Sequence, residues 1–261
     1  KPYLNPELSQ GILDRTVEAE GVHHLMTFAE LTGAATYIVH LSCKEALDQA
    51  IAARQRGVRV GIETLIQYLV LDKTYAERPN FEGAKYVMSP PLRDARNHAV
   101  LWNGLRDGLI NTVATDHAPF DFATQKPMGR DDFTKIPNGI PSLEERINLL
   151  YTCGVKAGRI DLHTLVNAAS TAVAKQFDLF PRKGAIQPGA DADLVVFDPA
   201  YRGTISVKNQ HMNVDYSAFE GWPLKGRASV VTVRGQVAAR DGNFTGTLGR
   251  GQFLRRKPSR F

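Results

Sequence analysis

Asn111-Thr112-Val113-Ala114-Thr115-Asp116-His117-Ala118-Pro119-Phe120 is the stretch from which the rest of the chain is read. Thr112 to Thr115 is a short, β-prone, uncharged run, suited to a strand buried on both faces as in parallel sheets. Asp116 and His117 follow directly, and Pro119 ends any ladder because it has no N–H to donate. Polar residues at the C-terminal end of such a strand stand where α/β barrels keep their active sites. The alternative is local: Asp116 caps a turn and His117 bonds to it.

Working outward, the same arrangement recurs upstream. Thr36-Tyr37-Ile38-Val39 reads as a buried strand ending at His40, and Val58-Arg59-Val60-Gly61-Ile62 as another followed by Glu63. Helices separate them. Asn5 caps a first helix with Pro6 at its opening position; Val17, Val22, Leu25, Phe28 and Ala29 keep helical spacing to a stop at Gly33. Ser42 and Glu45 have capping-box spacing and open a helix from Cys43 to Arg56. Thr64–Leu71 is apolar and helical, and Asp94 caps a helix to Asp107. Strands alternating with helices are the signature of parallel βα units. Parallel strands would project His40, Glu63 and Asp116 from one end of the sheet.

Asp121–Pro141 reads as a long loop of the kind that serves an active site. Ser142 and Glu145 form a second capping box, opening a helix through Leu150; Asp161–Ala168 and Thr171–Phe177 are two more helices. The pattern changes near residue 185. Gly184-Ala185-Ile186, Asp193–Phe197 and Ser229–Val233 read as short strands, and Arg234-Gly235-Gln236 as the turn into Val237–Arg240.

Composition narrows the function classes. The chain has 261 residues, 43% of them hydrophobic, which suits a globular core. The net charge of +5 is modest, and its basic residues do not alternate with aromatics, so no nucleic-acid partner is expected. Cys43 and Cys153 form no CxxC pair or disulfide framework, pointing to a cytoplasmic location. No signal peptide and no apolar run near ~18 residues is present, so no membrane partner is expected. The opening Lys1-Pro2-Tyr3-Leu4 lacks an initiating Met, as a piece of a longer chain would.

His40 and Asp116 are the candidate chemistry. Imidazole and carboxylate are standard ligands of zinc and similar ions, and a carboxylate beside an activated water can accept its proton. The alternative for His40 is a strand-end histidine bonded to a backbone carbonyl. His117 is a candidate to orient Asp116. Glu63 is read as pairing with an arginine, and no Gly-rich phosphate loop or nucleophile elbow occurs.

Taken together, Tyr37-Ile38-Val39-His40-Leu41-Ser42, Ser89-Pro90-Pro91-Leu92-Arg93, and Ala114-Thr115-Asp116-His117-Ala118-Pro119-Phe120 resemble the cyclic amidohydrolases. Lys183–Val196 is similar to that superfamily's return from barrel to sandwich. His211–Ser217, Phe219-Glu220-Gly221 and Gly249–Leu254 are similar to its dihydropyrimidinase/hydantoinase branch. The resemblance implies an α/β fold: the C-terminal part of a metal-dependent (β/α)8 TIM barrel, followed by strands of a β-sandwich domain. It divides the chain into a barrel part at 1–185, a sandwich part at 186–241, and a tail at 242–261 lying at a subunit contact.

It also implies hydrolysis of the ring amide of 5,6-dihydropyrimidines or 5-substituted hydantoins to N-carbamoyl amino acids, within pyrimidine catabolism. Two divalent metal ions, usually zinc, and a homotetramer go with it. By motif, His40 resembles a metal ligand, and Asp116 a metal ligand that is also the general base. Ser89 and Asn138 resemble residues whose backbone groups hold the ring amide. The family's His-x-His pair, carboxylated lysine and a further histidine are not in this sequence and would lie upstream, so the chain alone is expected to be inactive. The other readings are a metal-free, non-enzymatic adaptor relative of dihydropyrimidinase, or another cyclic amidohydrolase such as allantoinase or dihydroorotase. Retention of His40 and Asp116 favours the enzyme, and the C-terminal segment favours the hydantoinase branch.

Overall fold

The computed structural model describes residues 15–257. The expected helix start at Asn5 and Pro6 lies outside them. Three parallel strands form one sheet in chain order: β1 (Thr36–Ile38), β2 (Val60–Leu65) and β3 (Thr112–Ala114). Thr36 pairs with Val60, and Glu63 with Thr112. Helices connect them: α1 (Arg15–Thr32) precedes β1, α2 (Lys44–Gln55) leads to β2, and α3 (Ile66–Val70) and α4 (Arg96–Arg106) lead to β3. Ile62, Leu65 and Val113 are buried with Ala46, Leu47 and Ala50 of α2 and Leu101, Trp102 and Leu105 of α4. Five of the six β2 residues are buried, as in a strand covered on both faces, and Glu63 is the partly exposed exception.

Three sequence expectations change here. Glu63 lies inside β2, which runs on to Leu65, so it does not end a strand and Thr64–Leu71 is not all helix. The strand extends because Thr64 and Leu65 pair with Val113 and Ala114. Neither capping box forms. Cys43 stands at the N-cap of α2 without a side-chain bond. The Ser42 hydroxyl instead bonds Glu18, and Arg93 donates to both Ser42 (2.9 Å) and Glu18 (2.7 Å). A largely covered carboxylate needs these donors more than a helix end needs a cap. Likewise Asp94 makes ion pairs with Lys73 and Arg96 while Ala95 stands at the N-cap of α4.

After β3 and its long loop come α5 (Arg146–Leu149), α6 (Leu162–Val166) and α7 (Ala172–Gln176). A π-turn over Asn167–Thr171 joins α6 to α7, so the two expected helices run on as one. The second sheet is antiparallel, in the order β4 (Val195–Thr204), β5 (Pro223–Val233), β6 (Gln236–Arg240) and β7 (Asn243–Phe244). Arg234 and Gly235, with φ of +48° and +76°, make the tight turn between β5 and β6. Gly184-Ala185-Ile186 is not a strand, and Ile186 is 89% exposed.

Candidate active site

The C-terminal ends of the three parallel strands carry the candidate residues. β1 ends at Ile38, and the chain leaves it through His40 at φ +45°. This left-handed conformation is uncommon for a residue with a Cβ and needs support from its surroundings. Glu63 supplies it twice. Its side chain accepts the His40 backbone N–H at 3.4 Å, and its carbonyl accepts Leu41 N–H at 2.8 Å. The Glu63 carboxylate is fixed in turn by the Tyr37 hydroxyl at 2.6 Å, which lies 2.6 Å from Thr112 Oγ1. One side chain from each strand thus meets behind His40. Burial, reinforced by the Glu63 carboxylate, holds the Tyr37 phenol protonated far above its ordinary range. Among the described residues no arginine forms a salt bridge with Glu63; Arg146 lies close enough to interact with its charge but donates to the Val113 carbonyl at 2.8 Å.

Asp116 follows β3 in the same manner, at φ +44°. The carbonyl of Thr115 accepts Gln67 Nε2 at 2.6 Å and Ser142 Oγ at 2.8 Å, pinning the residue immediately before it. Ser142 is therefore useful where it stands: its hydroxyl faces the strand end, not the helix. Its N–H donates to His117 Nδ1 at 3.2 Å. Burial lowers the His117 pKa and favours the neutral ring, whose proton this bond assigns to Nε2. Among the described residues no hydrogen bond joins His117 to Asp116.

Ser89 and Asn138 come close to this strand end through their neighbours. Gly139 N–H donates to the Val87 carbonyl at 2.9 Å, tying the loop after Asn138 to the stretch before Ser89. Ala118 N–H donates to the Ile140 carbonyl at 3.3 Å, tying the same loop to the stretch after Asp116. Ser89 and Asp116 are exposed. Asp215, between β4 and β5, accepts Phe122 N–H and Ala123 N–H at 2.6 and 2.7 Å and closes the start of the loop.

The sequence reading missed Gln67, Ser142 and Arg146 as supports of the Asp116 segment. Only Gln67 left a signal: an amide among Ile66, Tyr68 and Leu69, fully buried.

The donor atoms suit a metal ion only in part. Among the described residues, neither the His40 imidazole nor the Asp116 carboxylate makes a hydrogen bond or ion pair, so the backbone-carbonyl partner considered for His40 is not found. No group of three or more His, Cys, Asp or Glu among the described residues could hold an ion. A catalytic zinc takes about three protein ligands, so these two residues fit as contributors to a larger set.

Residues 10–238 match the model of the amidohydrolase family. The chain belongs to that family. It is 49% identical to the D-hydantoinase of Geobacillus stearothermophilus over 92% of this chain and 51% of that protein. It is 44% identical to the D-hydantoinase of Ralstonia pickettii over 92% of this chain and 52% of that protein. A solved D-hydantoinase (dihydropyrimidinase) from Thermus sp. superposes with a TM-score of 0.92 at 61% identity, covering 95% of this chain and 54% of that one. This amidohydrolase chain thus has a TIM-barrel-type fold and spans about half the length of the curated relatives it matches. No described helix is long and apolar enough to cross a membrane.

Proposed function

We propose that the complete protein hydrolyses the ring amide of 5,6-dihydropyrimidines or 5-substituted hydantoins, giving N-carbamoyl amino acids. The observation that carries this reading is the pairing of His40 and Asp116. Both leave parallel strands at the same end of one sheet, in the same left-handed conformation, and neither side chain has a hydrogen-bond or ion-pair partner among the described residues. Likeness to several D-hydantoinases supports the substrate class.

In this reading His40 and Asp116 would be ligands of two divalent metal ions, zinc, with the other ligands, a carboxylated lysine among them, upstream of this sequence. When bound, such ions acidify water and polarise the ring carbonyl. The chain's own residues do the rest. Asp116 accepts the proton of the attacking water. The water oxygen bonds to the ring carbonyl carbon, the C–N bond breaks, and the proton taken by Asp116 passes to the departing ring nitrogen; the new carboxylic acid loses its proton to solvent, leaving a carboxylate and a carbamoyl group. Ser89 and Asn138 hold the ring amide through their backbone groups. His117, neutral and fixed on Ser142, stands beside Asp116 in the chain and helps to orient it. Residues 1–185 are the barrel part, 186–241 the sandwich part, and 242–261 lie at a contact in a cytoplasmic homotetramer.

The test is ring opening of dihydrouracil and hydantoin by the full-length protein and its Asp116→Ala variant. Turnover that collapses in the folded variant supports the proposal. Absence of turnover in the wild type favours the adaptor reading.

A further inference from the structure

Lys126 is completely buried, a rare setting for an ammonium group. Its Nζ donates to the carbonyl of Pro137 at 2.7 Å and to that of Gly139 at 2.8 Å. Those two carbonyls flank Asn138 in the chain. In a trans peptide the C=O and the next N–H point in opposite directions. Turning the Pro137 carbonyl onto Lys126 therefore turns the Asn138 N–H away from it. The peptide after Asn138 is fixed separately: Gly139 N–H donates to the Val87 carbonyl at 2.9 Å, which turns the Asn138 C=O away from Val87. Neither the N–H nor the C=O of Asn138 has a hydrogen-bond partner among the described residues.

The strip has little freedom to take another course. Gly139 stands at φ +146°, and a Cβ there would come 2.4 Å from the Ala118 Cβ and 2.6 Å from the Ala118 carbonyl oxygen. Ile140 accepts Ala118 N–H at 3.3 Å. Pro137 limits its own φ. Phe120 lies with its ring centroid 5.7 Å from the Lys126 ammonium, beside the same strip.

We infer that Lys126 is the positioning residue for ring-amide recognition: its buried ammonium orients the peptides around Asn138 so that one donor and one acceptor face the substrate. A cyclic amide or imide presents one N–H beside one C=O and matches this pair. Lys126 touches neither substrate nor reacting atoms. The inference rests on the proposed reading of Asn138 as a substrate contact.

The experiment uses full-length protein and the variant Lys126→Met, which keeps length and apolar bulk and removes the charge. Kinetics are measured with hydantoin and dihydrouracil, metal content by elemental analysis, and amide exchange at Gly139 by mass spectrometry. The expected result is a KM raised about ten-fold or more, with a smaller change in kcat and unchanged metal content. Gly139 exchange should accelerate about ten-fold or more.

An unchanged KM and unchanged Gly139 exchange in Lys126→Met would overturn the inference. If Lys126→Met does not fold, Lys126→Gln is measured in the same way. Loss of folding in both also overturns it, because the residue then serves the whole fold and not Asn138. Wild-type protein that opens neither ring defeats the functional reading alone, and exchange at Gly139 still decides the role of Lys126.

Discussion

His40 and Asp116 occupy equivalent positions in two βα units: each stands two residues beyond its strand, at φ +45° and +44°. A non-glycine residue held there costs about 1–3 kcal/mol, and such strain gathers at functional sites. The pair therefore has a backbone signature as well as a chemical one.

That signature separates strain from chemistry. Asp116→Ala keeps a Cβ in the left-handed region, whereas Asp116→Gly does not. Both variants should lose nearly all ring opening, by about 10³-fold or more if Asp116 serves as ligand and base together. Asp116→Gly should nevertheless be more stable than Asp116→Ala by about 1 kcal/mol. Thermal unfolding of the two full-length variants measures the gap; a more stable alanine variant would show that the conformation is not strained.

Glu63 should matter through His40. Glu63→Ala removes the acceptor of both the Tyr37 hydroxyl and the His40 N–H. The expected loss is about 1–3 kcal/mol of stability from groups left unpaired, together with weaker metal retention. Glu63→Gln keeps an acceptor and should lie between wild type and Glu63→Ala on both scales. Equal metal affinity in all three proteins, titrated against a chelator, would remove Glu63 from the site.

Ser142→Ala distinguishes a strand-end support from a helix cap. The hydroxyl serves the Thr115 carbonyl, which Gln67 also serves, so its loss should cost about 1 kcal/mol. Activity should fall while helix content stays the same. Reduced helicity by circular dichroism with full activity would restore the cap that the sequence suggested.

Cys43 should be inert in the native protein. Burial, with the Glu18 charge adding to it, pushes its thiol up to about 12. Raising an acid's pKa suppresses its ionised form, so at pH 9 almost no thiolate exists to react. Peptide mapping after alkylation at pH 7 and pH 9 should find Cys43 unmodified in folded protein and modified after unfolding. Rapid native labelling at pH 7 would contradict the packing of α2.

Much of this was legible in the sequence because the parallel part obeys local rules. Thr36–Ile38, Val60–Leu65 and Thr112–Ala114 announce themselves by apolar, β-prone runs, and His40 and Asp116 by following two of them. What stayed hidden depends on contacts between distant residues. Ser42 and Ser142 had the spacing of caps, yet each was claimed by a stronger partner, Glu18 in one case and the Thr115 carbonyl in the other. Glu63 looked like a strand end because the pairing of Thr64 with Val113 is not a local property. Lys126 gave no sign of burial, since its acceptors are backbone carbonyls 11 and 13 residues away.

His40 and Asp116 are proposed as two contributors to a metal centre completed by upstream residues. Elemental analysis of the full-length protein, with His40→Ala and Asp116→Ala beside it, tests this most directly. About two divalent ions per wild-type chain, falling in each variant while the fold persists, is the predicted result. A wild-type protein that carries no divalent metal and still opens the ring, or variants that keep the full complement, would contradict it.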